Sequence, residues 1–351
     1  MLTQANSFAY THNATADRQF AAQASLDNAL RLKPNQPEVQ LAQAYYQLWV
    51  SRDYEGARRS FKELQTSLPN SADVLNGLGI ADTCLGQWDE ARVVLDEALT
   101  LNPRDRIMRL IAGWIRKSTR DFPAALRCYD EALKIWPDDG NFVSEKARVY
   151  QSLGALDEAD ALLKGRVSDG SYHQAILRRR YIAAIDSLQK SLEQPGESPA
   201  RERIDQWEEL GDLQRLSGNL AAATTSYSHA RDEAEQALKD QPPNAHWIYR
   251  SLALTYAGLG DGKRALTLVD RAINFAPTSK DATFALECEE MRARIASRFD
   301  QRDLAISILE RLLHAVYSEP ITPALLRLDP DFDSLRGDPR FEKLAHSDAA
   351  K

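Results

Sequence analysis

Gly86-Gln87-Trp88-Asp89-Glu90-Ala91-Arg92-Val93-Val94-Leu95-Asp96-Glu97-Ala98-Leu99-Thr100-Leu101-Asn102-Pro103 carries a turn, an amphipathic helix and its stop in one stretch. Ala91, Leu95 and Ala98 recur at i, i+4 and i+7, which is one face of a helix. Pro103 ends it, because proline lacks the amide donor a helix interior needs. The same stretch returns every 34 residues. Alanine recurs at Ala57, Ala91, Ala125 and Ala159, and a bulky residue follows four positions later at Phe61, Leu95, Tyr129 and Leu163. Leu64, Ala98 and Ala132 come next, then Pro69, Pro103 and Pro137.

Twelve residues before Ala91, Ala125 and Ala159 stands a small residue, Gly79, Gly113 or Ala147. A small residue lets two helices approach, and the bulky one fills the space between them. A period of 34 residues is that of stacked helix-turn-helix units, in which each unit buries its apolar face against its neighbours.

The residues Leu78-Gly79, Ala91, Leu95, Ala98 and Pro103 resemble the tetratricopeptide repeat family. An earlier unit shows in Ala22, Leu26, Ala29 and Pro34. Later units show in Trp207, Leu210-Gly211, Ala223, Tyr227 and Ala230, then in Leu252-Ala253, Tyr256, Ala265, Val269, Ala272 and Pro277, and faintly in Ala293, Ala305, Leu309 and Leu312. The resemblance implies an all-α fold, a right-handed superhelical solenoid of about eight antiparallel helix pairs. It also implies a non-enzymatic module that binds a protein or peptide on the concave surface.

Composition supports that class. The 351 residues carry 27% charged and 43% hydrophobic side chains and a formal net charge of −7. An acidic chain does not offer the basic face that nucleic-acid phosphates require. Arg178-Arg179-Arg180 is the one compact basic run, and it reads as a solvated helix face. Cys84, Cys128 and Cys288 are too scattered for a disulfide framework. No stretch has the length and apolarity of a membrane span, and the first residues lack the pattern of a signal peptide, so a cytoplasmic location is expected.

Four segments are expected: regular units over 1–165, a degenerate helical unit with turn-rich flanks over 166–200, longer units over 201–318, and a capping tail over 319–351. That tail, Ile321 to Leu344, and the stretch Tyr45 to Tyr54 look like parts of the repeat arrays attached to bacterial serine/threonine kinases and to adenylate-cyclase-like or TolB-like regulators. The resemblance implies the scaffold or sensor part of a signalling protein, or a regulatory fragment whose acting domain lies outside this sequence. No kinase glycine loop, His-Arg-Asp or Asp-Phe-Gly motif occurs here.

Other chemistry finds no motif. Asp329, Asp331 and Asp333 alternate like the start of a calcium loop, but Ser334 and Arg340 stand where its glycine and closing glutamate belong. Capping and turn formation explain them better. Gly258-Leu-Gly-Asp-Gly262-Lys263 has the glycines of a phosphate cradle with the wrong spacing and no preceding strand. It reads as an inter-helix turn. The six histidines share no ligand spacing, so neither a metal, a cofactor nor a catalytic residue is assigned.

If the first helix of each unit lines the concave face, partner contact falls on Tyr46 and Trp49, Asn76 and Ile80, Leu110 and Trp114, then Arg148, Arg215 and Arg250. The surface starts aromatic and ends charged. Buried aromatics dominate interface energies, yet Trp49 and Trp114 could equally pack between helices.

Overall fold

The computed structural model describes residues 16–166, 169–193, 199–239, 245–276 and 281–347, all helical or in short connections. The turn-rich stretch at 194–198 and the terminal residues 1–15 and 348–351 lie outside them. After α1 (Ala16–Leu32) come eight pairs: α2 (Pro37–Tyr46) with α3 (Tyr54–Ser67), α4 (Ala72–Cys84) with α5 (Trp88–Leu101), α6 (Arg106–Ser118) with α7 (Phe122–Ile135), α8 (Gly140–Leu153) with α9 (Leu156–Leu163), α10 (Asp169–Leu177) with α11 (Tyr181–Glu193), α12 (Ala200–Leu216) with α13 (Leu220–Lys239), α14 (His246–Gly258) with α15 (Gly262–Phe275), and α16 (Phe284–Arg298) with α17 (Arg302–Leu312). Two short helices, α18 (Pro323–Leu328) and α19 (Pro339–Ala345), flank a 3-10 turn at Pro330–Leu335. The all-α array of consecutive helix pairs is what the 34-residue period implies. By packing, the described chain forms two compact units, one of residues 16–115 with 281–283 and the other of the remainder.

Each second helix buries the stripe that the period marks. Ala57, Phe61 and Leu64 are buried, as are Ala91, Leu95 and Ala98, Ala125, Tyr129 and Ala132, Ala223, Tyr227 and Ala230, and Ala265, Val269 and Ala272. Burying one large apolar side chain stabilises by about 1.5–3 kcal/mol, so these stripes dominate the stability of each pair. The small positions are tight. A Cβ added at Gly79 would lie 2.5 Å from Leu95 Cγ, and one at Gly211 would lie 2.7 Å from the Tyr227 ring.

Helix starts are capped locally. Asp53, Ser71, Asp121 and Asp261 each accept a backbone N–H from three residues on. The turn inside each pair contains one left-handed residue: Arg52, Gly86, Arg120, Gly154, Arg179, Gly218, Gly260 and Asp300. The first four again fall 34 residues apart. Where the last turn of α2 would be, Gln47–Ser51 widens into a π turn before Arg52 ends it.

The region read as degenerate is a pair with a short first helix, α10, whose partner α11 buries Ala184 and Leu188. The Arg178–Arg180 run is solvated as expected at Arg179 and Arg180, but it lies just past α10 in its turn rather than along a helix face. Arg178 pairs with Asp157 and Asp160, Arg179 with Asp333, and Arg180 with Asp160. The glycine-rich stretch 258–262 is the α14–α15 turn, with Asp261 as its cap. The closing segment does more than cover the last pair: Phe332, Leu335 and Phe341 enter one core with Leu309, Leu312 and Tyr317.

Candidate partner-binding surface

In the first unit, the positions expected to meet a partner come from α2 and the π turn after it, α4 and α6, and form an uncharged set. Tyr46 and Trp49 are half-buried and pack on Ala22 and Val50. Trp49 also borders the core that contains Phe61, Leu78 and Ile80. Ile80 is buried, and Asn76 is half-buried with its Oδ1 unpartnered. Its neighbour Tyr45 donates its hydroxyl to the Asp73 carbonyl at 2.8 Å, and burial, reinforced by Asp73, pushes that phenol up. Leu110 and Trp114 are half-buried, and Trp114 lies 6.0 Å from Trp88 at a tilt of 56° beside Leu95 and Ile111. The tryptophans therefore pack against helices and keep part of each ring accessible.

At the turn edge of this unit, residues 281–283 return to the helix ends. Asp281 pairs with Arg52 and accepts from the Thr283 hydroxyl at 2.6 Å, while the Ala282 N–H donates to the Cys84 carbonyl at 2.9 Å. Burial, then Asp281, holds the Cys84 thiol up at about 12, so it is an inert core group.

The second unit presents charge, most of it engaged within the chain. Arg215 pairs with Asp212 at 3.1 Å and with Asp331 at 3.0 Å. Arg148 stands 4.0 Å from Glu145. Arg250 lies near Glu208, whose carboxyl burial pushes well above its ordinary range while Thr255 donates to it at 3.1 Å. Three groups outside the candidate set are more deeply engaged. Lys117 is fully buried and meets both Glu145 and Glu319 at 2.6 Å. Burial alone would lower its pKa, but the two carboxylates reverse this and hold it above the ordinary value. Arg294 and Arg298, one turn apart on α16, converge with Arg215 on Asp331. Burial opposes ionisation of Asp331, yet these arginines hold its carboxyl far below the usual range.

A readable signal for this network existed. Arg294 and Arg298 are four apart on a first helix, and the alternating aspartates 329, 331 and 333 lie in the closing segment. Asp329 does cap the 3-10 turn, accepting from Asp331 N–H at 3.0 Å, as expected of a turn residue. It also pairs with Arg294. Among the described residues no cluster of three or more His, Cys, Asp or Glu side chains could hold a metal ion, and no helix is long and apolar enough to cross a membrane.

Two family models match the first half of the chain. A family model for the coatomer epsilon subunit matches residues 15–110, and one for the tetratricopeptide repeat matches residues 112–169. Hsp70-Hsp90 organizing protein 1 of Arabidopsis thaliana is 26% identical over 175 residues, 40% of this chain and 30% of that protein. Cellulose synthase operon protein C of Pseudomonas fluorescens is 25% identical over 276 residues, 75% of this chain and 22% of its own length. The chain thus spans less than a third of either relative. A solved tetratricopeptide repeat protein from Parabacteroides merdae aligns at 15% identity with a TM-score of 0.43, covering 78% of this chain and 91% of that one.

Proposed function

Taking the chain as a member of the tetratricopeptide repeat family, we propose that it is a non-enzymatic interaction module whose first unit receives a segment of a partner protein on Tyr46, Trp49, Asn76, Ile80, Leu110 and Trp114. One contrast carries this reading. These positions are uncharged, and five of the six are half-exposed, whereas Arg215 in the second unit is already paired with acids of the same chain. A ligand gains most where aromatic surface can be desolvated without breaking existing ion pairs. Arg148 and Arg250 are secondary contacts in this scheme. The relative named for organising Hsp70 and Hsp90 supports a protein as the partner class.

The similarity of Tyr45–Tyr54 and Ile321–Leu344 to arrays of bacterial signalling proteins supports a scaffold or sensor role there. A full reading frame without a kinase, cyclase or DNA-binding domain would remove that support. Recognition itself is tested by panning a peptide display library on the chain. Trp49→Ala and Trp114→Ala should each weaken the selected peptides by about 30-fold or more, the scale of an interface hot spot. Unchanged affinity accompanied by a large fall in melting temperature would make both tryptophans packing residues and refute the assignment.

A further inference from the structure

A solenoid is held together by neighbour contacts alone, so pairs distant in sequence do not ordinarily touch. The second unit departs from this. Arg120, left-handed at φ 61°, donates to two backbone carbonyls of the closing segment, Ala315 at 2.6 Å and Ile321 at 3.2 Å, and to that of Leu312 at 3.0 Å, where α17 ends. The Ser118 hydroxyl donates to the Ser318 carbonyl at 3.2 Å, and the Thr322 hydroxyl donates to the Ser152 carbonyl at 2.6 Å. Gly154 faces Ala324, where an added Cβ would come within 3.2 Å. Further along, Arg179 grips both oxygens of Asp333 at 2.7 and 2.8 Å, and Arg215 and Arg298 share Asp331.

One segment thus ties the turns or helix ends of α6–α7, α8–α9, α10–α11, α12–α13 and α16–α17. Its grip on the early turns is largely through backbone carbonyls, the way a protein holds an extended peptide. Besides the Thr322 hydroxyl, its side-chain ties include the acids Glu319, Asp331 and Asp333, set on Lys117, Arg215, Arg298 and Arg179. We infer that residues 313–335 are an internal ligand, a strap that holds the second unit in one geometry and makes its pairs open together rather than one at a time.

Native-state hydrogen exchange on the full chain tests this. Arg120→Ala and Gly154→Val should each raise exchange in α8, α9 and α11 together with the strap by about ten-fold or more, while α3 to α5 keep their rates. Gly218→Val is the control. It imposes the same left-handed strain at φ 87° where nothing lies within 4 Å, so its effect should stay within α12 and α13. Should Gly154→Val fail to fold, Arg120→Lys retains a cation but loses the forked grip and should give the same pattern at smaller amplitude. Acceleration confined to the strap, with α8, α9 and α11 unchanged, overturns the inference. So does a Gly218→Val response as wide as that of Gly154→Val.

Discussion

Gly79→Ala tests the packing rule on which the fold rests. An alanine Cβ there would lie 2.5 Å from Leu95 Cγ and about 3 Å from both its methyls, whereas ordinary contact begins at about 3.4 Å. Leu95 is fully buried beside Ala91 and Ile115, so relief requires the two helices to part by several tenths of an ångström. Overpacking of this kind costs about 1–3 kcal/mol. The better helix propensity of alanine returns up to about 1 kcal/mol. A net loss of about 1–2 kcal/mol is expected in urea or thermal unfolding. Gly79→Ala with Leu95→Val should be less unstable than the sum of the single changes, because the second substitution removes the atoms the first one strikes. Ala147, at the equivalent place opposite the buried Leu163, shows that a methyl fits when its pair is built around it. A neutral or stabilising Gly79→Ala, or strict additivity in the double variant, would refute the close-approach argument.

His173 predicts an acid limb. Burial, reinforced by Arg148, Arg294 and Lys117, pushes its imidazole down to about 3 while its Nδ1 lies 2.8 Å from Gln151 Oε1. A folded-state pKa below the unfolded value near 6.5 means that stability is complete above about pH 6.5 and falls as pH drops toward 3. The loss should reach a few kcal/mol, and His173→Gln should flatten the slope between about pH 6.5 and 4.5. An unchanged slope would show that the carboxylates dominate. Lys117→Met should cost about 2–3 kcal/mol, less than the 3–5 typical of a fully buried pair, because Glu145 and Glu319 can regain some water. Adding Glu319→Gln should recover part of it in the same unfolding assay.

The repeat skeleton was legible because its constraints are local. Ala91 with Leu95, Gly79, and Asp121 as a cap are each dictated within one pair. In the basic run, the tie of Arg179 was not legible because its partner is remote: Asp333 stands 154 residues away, and no helical period relates them. The same holds for Lys117 with Glu319 and for Arg120 with carbonyls near residue 315. These ties follow from where the closing segment runs, which periodicity does not encode. The aromatic candidates were chosen because the period assigns them to first-helix positions, but their division between packing and exposure depends on neighbours such as Trp88 and Val50.

The left-handed arginines carry a consequence for repeat engineering. Glycine suits such a turn position because it lacks a Cβ, and a side chain there costs on the order of 1 kcal/mol. Averaging the units would therefore nominate glycine at 52, 120 and 179 in register with Gly86 and Gly154. Each change would ease its own turn while deleting a side chain that reaches Asp281, the carbonyls at 312, 315 and 321, or Asp333. A consensus chain built that way would hold better hairpins in a looser whole, since at these three places the irregular residue does what the repeat itself cannot.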